Sequence, residues 1–81
     1  MKPENYERVR DIMFTLKDVE REIAACRTTP EYIQFIDKDG RNHRVDLPDE
    51  TMPAANEFIG NVVFPALIRK QNALLAELDT L

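Results

Sequence analysis

Apolar residues recur along the first third of the chain at helical spacing. Val9, Ile12, Leu16, Val19, Ile23 and Cys26 follow one another at intervals of 3, 4, 3, 4 and 3, the narrow stripe of a helix lying along another helix. Tyr6 and Met13 flank that stripe. Pro3 suits a first helical turn, where its missing N–H costs nothing, and neither glycine nor a second proline intervenes before Pro30. The pattern predicts a helix over residues 3–27, with Glu4 and Arg8 as a favourable pair one turn apart. Thr28-Thr29-Pro30 ends it, because the residue before a proline is pushed out of the helical region.

The period then changes. Glu31-Tyr32-Ile33-Gln34-Phe35-Ile36 is rich in β-branched and aromatic residues, as a strand is. Asp37-Lys38-Asp39-Gly40 supplies a turn, and Arg41 to Leu47 the return strand, stopped by Pro48. A three-residue loop, Lys38-Asp39-Gly40, makes a type I turn closed by a glycine bulge. It opposes Ile33 to Val45, Phe35 to His43 and Glu31 to Leu47. Ile33, Phe35, His43, Val45 and Leu47 then share one face, and Tyr32, Gln34, Ile36, Asn42, Arg44 and Asp46 the other. A two-residue Asp39-Gly40 turn sorts apolar from polar less cleanly, so the first register is preferred. The hairpin spans residues 31–47. Alone it is marginal in water, so its apolar face is expected to cover the helices.

A second helix is predicted over residues 51–80, capped by Thr51, with Pro53 tolerated in its first turn. Ala54, Ala55, Phe58, Ile59, Val62 and Val63 form a broad stripe. Pro65 removes one backbone bond at a cost of about 3 kcal/mol, and a kink near residues 61–65 is expected because the apolar phase continues beyond it. Leu67, Gln71, Leu74, Leu78 and Leu81 then recur at 4, 3, 4 and 3, a seam that wants a partner.

These elements predict one α+β domain over residues 1–81, in the order helix, β-hairpin, helix. The two long helices run antiparallel and the hairpin lies across one end. The expected core is Val9, Ile12, Leu16, Val19, Ile23, Ile33, Phe35, Val45, Phe58, Ile59, Val62, Leu67 and Leu74. Two seams and a hairpin with open edges exceed what one copy can cover, which predicts a homodimer or larger closed oligomer. Leu67, Gln71, Leu74 and Leu78 are its expected interface, with Gln71 fixing register.

Composition narrows the function classes. An 81-residue chain of 43% hydrophobic and 32% charged residues is ordinary for a folded soluble protein. The net charge of -4 is uneven: residues 1–27 balance six basic against six acidic groups, whereas residues 49–81 carry two against five. An acidic chain without a basic run argues against duplex DNA as a partner. The lone Cys26 excludes an intrachain disulfide and fits a buried small hydrophobe on the first seam. No membrane span or signal segment stands out, so a cytoplasmic protein is expected.

Chemistry is sparse. Asp37-Lys38-Asp39-Gly40 begins like a calcium loop, but its glycine falls fourth instead of sixth and no glutamate stands twelfth. His43 is the only histidine, and nothing beside it reads as a nucleophile with an orienting group. No enzyme activity, metal or cofactor is expected. One grouping remains: Arg41, His43 and Arg44 on the return strand, Arg69 and Lys70 past the kink, and Tyr32 on the neighbouring strand. Arginines beside aromatic rings can pair a phosphate and stack a base.

The run Phe35-Ile36-Asp37-Lys38-Asp39-Gly40-Arg41 leading to Phe64-Pro65-Ala66-Leu67-Ile68-Arg69-Lys70 resembles small bacteriophage accessory proteins, in which a short hairpin precedes a leucine-rich helix. The resemblance rests on architecture and implies an anti-defence role, either sequestration of a cyclic nucleotide signal or inhibition of a host enzyme. The expectation is a non-catalytic homo-oligomer that holds a small anionic, nucleotide-like ligand at its interfaces. Arg41, Arg44, Arg69 and Lys70 would pair its phosphates, Tyr32 would stack on its ring and His43 would assist. The alternative is an inhibitor or adaptor that sets the acidic surface of Asp49, Glu50, Glu57 and Asp79 against a host protein.

Overall fold

The first seam forms helix α1, Tyr6–Ala25, in the computed structural model of the chain, which describes residues 2–81. Pro3–Asn5 adds a 3₁₀ turn before it. The chain leaves the helix at Cys26 to Thr28, where the Thr28 hydroxyl donates to the Ala25 carbonyl at 2.7 Å. Strands β1, Tyr32–Ile36, and β2, Asn42–Asp46, pair antiparallel. A 3₁₀ turn, Asp49–Thr51, leads into α2, Met52–Phe58, then a π-helical turn, Ile59–Val63, and α3, Phe64–Thr80. The fold is α+β, helix–hairpin–helix.

The helices are antiparallel, and side chains at one end tie them. Arg8 donates through Nε and Nη2 to both oxygens of Glu77, at 2.6 and 2.8 Å. Asn5 Nδ2 donates to the Leu81 carbonyl at 3.4 Å. Arg8 therefore reaches across to α3 and not along its own helix to Glu4, because a planar fork matches a carboxylate held opposite it better than one on its own face.

Ile12, Leu16 and Val19 are buried, and Val9 and Ile23 are half-buried on the same stripe. On the facing helix the half-buried line runs Ala55, Ile59, Val63, Leu67, Gln71, Leu74 and Leu78. Its first four steps are all of four residues. Each such step in an α-helix overshoots a full turn by about 40°, so the line would wind off the partner. The π turn widens the helix where that drift accumulates, and it also absorbs Pro65, whose nitrogen has no proton to offer the ladder. The helix is not split. The wider turn carries the stripe to Ile59 and Val63, so Phe58 and Val62, expected in the core, are exposed.

The start of α2 also differs from expectation. Thr51 does not cap through its side chain. Its hydroxyl turns back and donates to the Pro48 carbonyl at 2.6 Å, because the 3₁₀ turn already occupies the capping position.

The hairpin departs most from expectation. Among the described residues neither strand packs on a helix, and Ile33, Phe35 and Val45 are 48, 47 and 46% exposed. They are not core. The link from β2 to the next helical turn is Leu47 and Pro48 alone, with Pro48 extended at φ -59° and ψ 149°. So short and straight a link carries the hairpin off the end of the helix instead of folding it back. Among the later elements α1 packs on α3 alone, which leaves α2 without a helical neighbour. The molecule measures 52 × 29 × 16 Å with a radius of gyration of 16.5 Å, against about 12 Å for a compact domain of this length.

Candidate functional site

The hairpin carries most of the residues singled out by sequence, and its turn fixes where each one points. Its register is Ile33 to Val45, Gln34 to Arg44 and Phe35 to His43, as predicted from the glycine bulge. Leu47 N–H donating to the Glu31 carbonyl at 2.9 Å extends the ladder by one pair. Gly40 N–H donates to the Asp37 carbonyl at 3.0 Å, and Gly40 takes φ +83°, the left-handed conformation that glycine adopts without penalty.

Asp37 is the clasp of this turn, and sequence reasoning missed it. One carboxylate oxygen accepts the N–H of Asp39 at 2.9 Å and of Arg41 at 3.0 Å. The other lies 2.6 Å from His43 Nε2. The contact with His43, followed by the two backbone donors, holds the Asp37 carboxyl below the ordinary aspartate range. The signal was available: odd-numbered residues of β1 share a face with odd-numbered residues of β2, so Asp37 and His43 belong together.

The six proposed ligand residues divide into four places. His43 lies on the apolar face, stacked on Phe35 with ring centroids 5.2 Å apart, and is held by Asp37. Arg44 lies on the opposite face, its guanidinium carbon 3.8 Å above the centre of the Tyr32 ring and its Nε 3.1 Å from Asp46 Oδ1. Tyr32 therefore already carries a cation on one side, and Asp46 brings a carboxylate beside it. Arg41 is exposed at the turn, and its backbone serves Asp37. Arg69 and Lys70 are exposed on α3, which neither strand contacts. One copy of the chain does not gather the six.

Leu67, Gln71, Leu74 and Leu78 are half-buried along α3, in the helix pair of a single chain. The acidic set is also divided. Asp49 and Glu50 stand just before α2 and Glu57 near its end, while Asp79 follows Glu57 by 22 residues of helix, about 33 Å at 1.5 Å per residue. Among the described residues no three His, Cys, Asp or Glu side chains form a group able to hold a metal ion, and no helix is long and apolar enough to cross a membrane.

Two apolar features stand apart from the basic and acidic sets. The first is the exposed hairpin face of Ile33, Phe35 and Val45. The second is a cleft of about 360 Å³ between the end of α1 and the π turn, lined chiefly by Ala25, Cys26, Pro30, Ile59, Val63 and Leu67. Pro30 lies two residues before β1, so the cleft opens at the root of the hairpin. No family model matches the chain, and neither a curated protein nor a solved structure is similar to it.

Proposed function

We propose that the chain is a non-catalytic, self-associating module that acts by protein–protein contact, as an adaptor or inhibitor of the phage-accessory type. One observation carries this: the hairpin stands free of the helices with both faces exposed. Exposed contiguous apolar surface of this kind marks contact with another protein.

Sequestration of a nucleotide is the weaker reading on this geometry. Arg41 and Arg44 of one copy would have to meet Arg69 and Lys70 of another, and Tyr32 would have to shed its own arginine. Titration calorimetry with a panel of cyclic and linear nucleotides tests the choice. Contact-based action predicts no heat from any of them. Saturable heat that disappears in the Arg41→Ala, Arg44→Ala double variant would overturn it in favour of sequestration.

A further inference from the structure

We infer that the interface between copies is the hairpin half of the molecule, with the apolar hairpin face of each copy seated on the α2–π segment and cleft of the other. The inference rests on the self-association proposed above and names its surface and its occupant, a second copy of this chain.

Area is the first argument. The chain exposes 6558 Å², whereas a compact monomer of 9.4 kDa exposes about 5,000 Å². The excess is about 1,500 Å² per copy, or about 3,000 Å² for a pair, which lies within the ~2,000–5,000 Å² range of obligate homodimers. A second copy thus supplies the burial that the monomer lacks.

Charge is the second. Residues 58–68 form the longest run in the chain without a charged side chain, and they contain the π turn and three of the eight residues that line the cleft. Within the run Phe58 and Val62 are 57 and 51% exposed. Depletion of charge around exposed large apolar residues is the composition of an interface core. The hairpin face offers matching chemistry in Ile33, Phe35 and Val45, and the one charged residue that lines the cleft, Glu22, is exposed.

Topology is the third. The cleft adjoins the root of the hairpin, and neither strand packs on a helix. The donor and receptor surfaces therefore lie side by side on one copy, as a two-fold interface requires: each copy gives its hairpin and receives the other's.

Sedimentation velocity on four proteins tests this: wild type, Phe35→Glu, Phe58→Glu, and Phe14→Glu as a control on the exposed outer face of α1. All three substituted sites are on the surface of the monomer, and circular dichroism verifies retained helix. The expected result is an associated wild type, with Phe35→Glu and Phe58→Glu each weakening association at least ~30-fold and Phe14→Glu leaving it unchanged. An associated wild type that tolerates both Phe35→Glu and Phe58→Glu, or is dissociated by Phe14→Glu, would overturn the inference while leaving self-association intact. A monomeric wild type would overturn both.

Discussion

Gly40 and Asp37 decide the hairpin. At φ +83° a side chain at position 40 is strained even though the space around it is open. Gly40→Ala is expected to cost the hairpin about 1–2 kcal/mol. Because the strands do not pack on the helices, the loss should show as faster amide exchange in residues 32–46 with the exchange of α1 unchanged. Asp37 adds a pH dependence. A carboxylate whose pKa is lower in the folded than in the unfolded chain contributes stability above its unfolded value, near 3.8, and loses it as pH falls through the folded value. Hairpin amide protection should therefore hold from neutrality to about pH 5 and decline below about pH 4, and Asp37→Asn should remove that step. NMR of the hairpin amides across the acid range measures it. Glu77 is held low in the same way by Arg8, so the end of the helix pair loosens in the same direction.

Much of the hairpin was legible in the sequence, and the reason is local. Gly40 admits the bulge, the bulge sets the register, and the register sorts the faces, all within 16 residues. What the sequence did not disclose is where the apolar face goes. Burial was assigned to Ile33, Phe35 and Val45 because an apolar strand face must be covered, but alternation identifies the face without identifying what covers it. One copy does not gather the ligand set for a related reason. Arg44 and Tyr32 are adjacent on the pleat and find each other before any ligand does, while Arg69 and Lys70 depend on a long-range placement that no local pattern encodes.

Between elements, the seam of α1 and the seam beyond the proline, Leu67, Gln71, Leu74 and Leu78, were correct in phase. Ile12, Leu16 and Val19 emerged as the buried centre of α1 because a spacing of 3 and 4 holds one helix against another. The four-residue steps from Ala55 to Gln71 called for an under-wound helix, and Pro65 together with the π turn supplies it. Taking Phe58 and Val62 as core assumed an unbroken α-helical phase. Two substitutions separate propensity from packing here. Leu16→Ala removes one of three buried side chains and should destabilise the fold by about 2–4 kcal/mol, read from urea denaturation with loss of helical ellipticity. In Gly60→Ala nothing lies within 4 Å of the added methyl group. In the dissociated Phe35→Glu background it should stabilise the helix by roughly 0.5–1 kcal/mol.

At the scale of the molecule, the chain divides into a closed half and an open one. The α1–α3 half has its own buried centre and an Arg8–Glu77 tie. The hairpin and α2 have neither. A layer only 16 Å thick holds one pair of helices, and a core of three buried residues among those described is small even for a chain of this length. Self-association follows from that imbalance. Sedimentation equilibrium of the wild-type protein across the micromolar range tests it most directly. A mass of at least twice 9.4 kDa that falls on dilution is the predicted result. A 9.4 kDa species at every concentration would contradict it.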